Sequence, residues 1–135
     1  MTSATPTQRS LAECEKRGWA ASVAEGWDRP FRGAQKKDLF GFADIVALDV
    51  PQKSFIAIQC TSDNGGNVAA RVRKSAALCG PWLDAGGRVL IWGWGKRWLR
   101  NELGHRRQLW RVREIEIHAG NRESLCGDRA ESGEE

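Results

Sequence analysis

The chain has 135 residues, 41% of them hydrophobic and 28% charged, with a formal net charge of +4, the balance of one soluble globular domain. That length buries a core without disulfide or metal staples, and no apolar run approaches the roughly 18 residues that a bilayer span needs. Residues 1–12 (MTSATPTQRSLA) lack the charged-then-apolar layout of a secretory signal, so a cytoplasmic protein that does not enter the membrane is expected. Cys14, Cys60, Cys79 and Cys126 form no CxxC pair, which argues against zinc and against a disulfide framework and for small apolar residues in a reducing compartment.

In chain order, residues 7–17 predict a helix with Leu11 and Cys14 on one face and Gly18 as its stop. Residues 19–24 suit a short strand, and 26–37 a loop rich in basic side chains, among them Lys36 and Lys37. Residues 43–49 and 55–61 are β-rich runs separated by VPQKS, the pattern of an antiparallel hairpin. A turn centred between Pro51 and Gln52 pairs Leu48 with Phe55, Val46 with Ala57 and Asp44 with Gln59 on one face. The other face pairs Ile45 with Ile58 and Ala47 with Ile56. Both faces are mostly apolar, so the hairpin is expected at the centre of a sheet covered on two sides. Asp44 and Gln59 are then opposed polar groups at its open end, with Cβ atoms about 4.5–5.5 Å apart.

Asn67 caps the next predicted helix, which runs to about Cys79 with an apolar stripe of Val68, Val72, Ala76 and Cys79. Pro81 ends that helix. Strands are expected over 88–94 and 108–117, with a basic segment between them to which no element is assigned. The order is helix, strand, hairpin, helix, strand, strand, hence an α/β sandwich on a mixed sheet.

Charge is distributed unevenly. Residues 119–135 carry a net −3 and residues 1–118 a net +7. Between Arg88 and Arg113 there are eight basic residues against the single acid Glu102, interleaved with Trp92, Trp94, Trp98 and Trp110. A basic, aromatic body suits a polyanion such as nucleic acid. Arg71, Arg97, Arg100, Lys36 and Lys37 are the expected contacts, and one of Trp92 and Trp94, with Trp94 as the choice, is expected to stay exposed and stack on a base. The tail from residue 119 holds one large apolar residue, Leu125, and is expected to be disordered. A carboxylate at the start of one strand opposite a polar side chain on its neighbour is a way to hold Mg²⁺, which takes one or two protein carboxylates and otherwise water and phosphate oxygens.

These residues carry a resemblance. Gly18-Trp19 after the first helix, Gly41-Phe-Ala-Asp44-Ile-Val-Ala, Ala57-Ile-Gln59-Cys-Thr61-Ser62 and Leu90-Ile-Trp-Gly-Trp94 together resemble the PD-(D/E)XK nuclease superfamily. The nearest member type is the archaeal Holliday-junction resolvases and related phage or mobile-element proteins. The resemblance covers roughly residues 7–117 and implies a restriction-endonuclease-like fold over 1–118, a Mg²⁺- or Mn²⁺-dependent DNA endonuclease activity, branched or structured DNA as substrate, and a homodimer.

Carried over by position, Asp44 matches the metal-binding Asp. Gln59 stands where the superfamily has a Glu, and Thr61 where it has a Lys. Gln59 keeps a carbonyl oxygen for a metal but removes a negative charge, and Thr61 supplies no cation. Lys74 on the following helix is the candidate replacement, with Arg71 second. The acid of the first helix falls near Thr7; Glu13, Glu15 and Glu25 are substitutes, Glu25 being nearest the hairpin mouth, and Asp38 is a further loop carboxylate there. A second reading is a catalytically inactive nucleic-acid-binding or assembly module on the same fold.

Overall fold

The computed structural model describes residues 4–24, 26–27 and 36–126. Helix α1 (Pro6–Lys16) starts at a capping box, in which the Thr5 side chain accepts from the Gln8 backbone N–H and the Gln8 side chain accepts from that of Thr5. It ends in a Schellman turn, Trp19 N–H to Cys14 O at 2.9 Å, with Gly18 at a φ of 81° that a side chain would oppose. Strand β1 (Ala20–Val23) follows. Two short segments, β2 (Gly26–Trp27) and β3 (Lys36–Lys37), pair with each other outside the main sheet.

The main sheet has five strands in the order β1, β4 (Ile45–Asp49), β5 (Ser54–Ser62), β6 (Arg88–Arg100), β7 (Arg106–Ile117). Only β5 and β6 are parallel. Their crossover carries α2 (Asn67–Leu78) and a short α3 (Gly80–Asp84), and α4 (Arg122–Cys126) follows the last strand. The chain is thus an α/β fold with a mixed sheet flanked by helices. The β4–β5 register is the expected one, Ile45 to Ile58, Val46 to Ala57, Ala47 to Ile56 and Leu48 to Phe55.

Alternation along the central strands separates two cores. Ile45, Ala47, Ile56, Ile58, Cys60, Leu90 and Trp92 face α1 and pack on Cys14. Ala57, Val89, Ile91 and Ile117 face α2 and meet Val68, Val72, Ala76 and Cys79. Each fully buried aliphatic side chain contributes about 1.5–3 kcal/mol, so the hairpin that carries Asp44 and Gln59 is anchored from both sides. Burial pushes the Cys14 thiol up to about 11, against the pull of Arg17, and raises that of Cys79. Both are packing residues rather than nucleophiles. Among the described residues no helix is long and apolar enough to cross a membrane.

Three expectations are corrected, and one unassigned segment is placed. Gly66, not Asn67, is the N-cap of α2, because the Asn67 amide donates to Ser62 Oγ instead. Pro81 lies in the first turn of α3, where its missing N–H costs nothing. The unassigned basic segment is strand: β6 and β7 continue together to Arg100 and Arg106. Residues 119–126 are not disordered, since α4 lays Leu125 on the α2-side core and Arg122 donates to Ala76 O at 2.7 Å and Ala77 O at 3.3 Å. Residues 127–135 lie outside the described residues.

Candidate functional site

Asp44 sits one residue before β4, its N–H donating to Ile58 O and its carbonyl accepting from Ala24. These bonds bring its side chain onto the α2 side of the sheet beside Gln59. Gln59 Nε2 donates to Asp44 Oδ2 at 2.5 Å, and the Cys60 N–H donates to the same oxygen at 2.8 Å. Both side chains are buried, with 6% and 1% exposure. A carboxylate only accepts, so the Gln59 amide must turn its nitrogen toward Asp44. That leaves Gln59 Oε1 buried with no hydrogen-bond partner among the described residues, at a cost of about 1–3 kcal/mol.

The pair opens into a cavity of about 520 Å³ whose walls include Thr7, Asp38, Asp44, Gln59, Thr61 and Arg71. Asp38 arrives through a tight turn in which Gly41 N–H donates to Asp38 O at 3.0 Å and Leu39 bridges Ala43. Within that turn Phe40 and Gly41 both hold positive φ, 55° and 82°. Phe40 pays for this with backbone strain of order 1–3 kcal/mol, and the turn sets a second carboxylate in the wall of the same cavity. Lys74 Nζ reaches Asp38 Oδ2 at 3.4 Å from the next turn of α2.

The sequence-predicted residues therefore separate into groups. Asp44, Gln59, Arg71 and Asp38 line one cavity, and Lys74 adjoins it through Asp38. Thr7, where the resemblance expects an acid, is in the wall, and that acid is absent. Glu13 instead pairs with Arg17 at 2.8 Å and borders a different cavity with Trp94 and Trp110. Glu25 lies outside the described residues, as do the side chains of Lys36 and Lys37.

Trp94 is corrected. It is 7% exposed, with Nε1 donating to Ser10 Oγ at 2.9 Å, and it cannot stack on a base. Trp92 and Trp94 share a face, as i and i+2 must, and α1 covers both. Arg97 is held by Asp63 at 2.7 Å, and Arg100 Nη1 donates to Gly104 O at the hairpin tip. Among the described residues the exposed tryptophans are Trp98 and Trp110. Their signal was the alternation Lys96, Trp98, Arg100 on one side of an Asn-Glu-Leu-Gly tip and Arg106, Gln108, Trp110 on the other.

Among the described residues no cluster of three or more His, Cys, Asp or Glu could hold a metal. The donors present are nonetheless hard oxygens: the Asp44 carboxylate, the orphaned Gln59 Oε1 and the Asp38 carboxylate. This set suits a cation such as Mg²⁺ that takes few protein ligands and keeps water and phosphate oxygens, and a cation would satisfy the buried carbonyl. No family model, curated protein or solved structure matches the chain.

Proposed function

We propose that this chain is a Mg²⁺- or Mn²⁺-dependent DNA endonuclease that hydrolyses phosphodiester bonds in branched or structured DNA. The observation that carries this reading is the Asp44–Gln59 pair, two oxygen-bearing side chains on adjacent strands that line a cavity with Asp38 and Arg71, the buried Gln59 Oε1 having no partner among the described residues.

Asp44 and Gln59 would hold the ion, with Asp38 as the second carboxylate of the wall. When bound, the ion polarises the phosphate and lowers the pKa of its water. Arg71, on the same wall, binds oxygens of the scissile phosphate as a bidentate donor. Lys74, already paired with Asp38, places a positive charge near the developing negative charge, the work that Thr61 cannot do. The Thr61 hydroxyl is left to donate a hydrogen bond to water or phosphate. Water's oxygen forms a bond to phosphorus as the bond from phosphorus to the sugar oxygen breaks, and that oxygen leaves with a proton.

Thr7, Gln59 and Thr61 are all neutral, and this favours a second reading, a nucleic-acid-binding module without catalysis. Calorimetric titration of Mn²⁺ into the wild type, Asp44→Ala and Asp44→Asn separates the two, paired with cleavage of branched, duplex and single-stranded DNA in Mn²⁺. The nuclease reading expects a wild-type heat and cleavage that both variants lose. Cleavage of none of the substrates, together with no metal heat, leaves the binding module.

A further inference from the structure

The β6–β7 ribbon outgrows the sheet. The last β5–β6 pair is Ser62 with Trp94, whereas β6–β7 pairing continues through Lys96–Trp110 and Trp98–Gln108 to Arg100–Arg106. From Lys96 to Arg111 the ribbon carries six basic residues and one acid, Glu102. Its two faces differ. The α2 side carries Arg97, Arg107, Arg111 and Arg113, of which Asp63 binds Arg97 at 2.7 Å and Arg113 at 3.5 Å, and neither Trp98 nor Trp110 lies on it.

The α1 side presents Lys96, Trp98, Arg100, Arg106 and Trp110. Trp98 is 57% and Trp110 38% exposed. Cations already lie on both indoles: Arg9 at 3.5 Å and Lys96 at 5.4 Å from the Trp110 centroid, and Arg106 at 4.5 Å from that of Trp98. A second cavity, lined by Ser62, Lys96 and Trp110 among others, shares Ser62 with the one that holds Asp44. The ribbon face thus leads toward the candidate site.

We infer that this face is a stacking platform for unpaired nucleotides, so that the substrate class is nucleic acid with a single-stranded segment rather than continuous duplex. The inference rests on the nucleic-acid reading above and adds the substrate's form. Trp98 and Trp110 occupy diagonal cross-strand positions, about 7–8 Å apart, and each offers a ring face to one base. A base that settles on an indole displaces the guanidinium, which moves to the adjoining phosphate. Aromatic platforms with interleaved cations bind single strands in this way, without sequence preference. Intact duplex keeps its base faces inside the stack and gains only the phosphate contacts.

The test is anisotropy with a fluorescein-labelled mixed-sequence strand, alone and annealed to its complement, on the full chain in EDTA so that nothing is cut. Wild type is expected to bind the single strand more tightly. Trp98→Ala combined with Trp110→Ala is expected to lose about thirtyfold or more on the single strand and to change little on duplex. Trp98→Phe with Trp110→Phe keeps ring faces at both positions and restores binding, which a merely structural role in the ribbon would not require of both rings. Equal losses on the two substrates, an unaltered alanine variant, or a wild type that prefers duplex or binds neither overturns the platform. Because binding is read without metal, intact single-strand preference in a protein that cuts nothing in Mn²⁺ removes the nuclease reading and leaves the platform standing.

Discussion

At Gln59 a single amide does work that its charged counterpart could not do without a cation. Its nitrogen donates to Asp44 at 2.5 Å in a site where both groups are buried. A glutamate there would set two carboxylates in contact, each raising the cost of ionising the other. Gln59→Glu is therefore expected to lower stability by about 2–3 kcal/mol in EDTA and to recover most of that loss on adding Mn²⁺. Thermal melts with and without Mn²⁺ check this; an unchanged melting temperature in both conditions would remove the metal from the site. A second pair is purely structural. Arg88 donates two hydrogen bonds to Glu116, at 2.9 and 3.0 Å, and these hold the Glu116 carboxyl below its usual 4.5 against the opposing effect of burial. Its contribution is full above 4.5 and is lost as pH falls through the lower folded value. Both side chains are over a third exposed, so the contribution stays below about 1 kcal/mol. Denaturant titrations of wild type and Glu116→Gln should differ at neutral pH and converge only once pH has fallen below the lowered folded value of Glu116.

Among the elements, α4 and the ribbon depart most from local expectation. The five residues of α4 form no stable helix alone. Arg122 makes it worthwhile by donating to the last carbonyls of α2, which that helix leaves unsatisfied, while Leu125 meets the core. Truncation after His118 is expected to cost about 1–3 kcal/mol and lower the melting temperature by several degrees. Arg122→Ala should reproduce part of that loss, and a calorimetric scan of the two variants measures it. The ribbon is held differently. Beyond Trp94 it has no β5 partner, so its stability comes from cross-strand pairs such as Lys96–Trp110 and from the tip, where Asn101 Oδ1 accepts from Leu103 and His105 N–H groups at 2.9 Å.

Across the whole molecule, neighbouring charges in the sequence stand on opposite faces with different partners. Arg97 and Arg100 are close in sequence, yet one is committed to Asp63 and the other stands on the open α1 side. Nucleic-acid binding should weaken with salt at a slope of about −0.9 per phosphate neutralised on duplex and about −0.7 on single strands. Arg100→Gln with Arg106→Gln is expected to flatten the slope on single strands by about 1.4. Arg97→Gln alone should change it by clearly less than one phosphate's worth, since its charge is already offset. Plots of log K against log salt for the three proteins decide this, and equal effects per arginine would put the α2-side face in the interface as well.

Local pattern was enough for the central hairpin, because a turn centred between Pro51 and Gln52 sets its register, and that register opposes Asp44 to Gln59. It was also enough for the buried stripe of α2 and the Gly18 stop of α1. Asp44, Gln59, Arg71 and Asp38, candidates by sequence, line one cavity at the hairpin mouth. Tertiary packing decided the rest. Whether Trp94 is covered depends on how far α1 extends over β6, and no alternation rule contains that distance. The docking of α4 depends on where the α2 carbonyls end in space, 45 and 46 residues away along the chain. That Arg97 and Arg113 are engaged follows from Asp63, just past the end of β5, reaching across to both. Local periodicity records which side chains share a face; only the folded chain determines what, if anything, lies over that face.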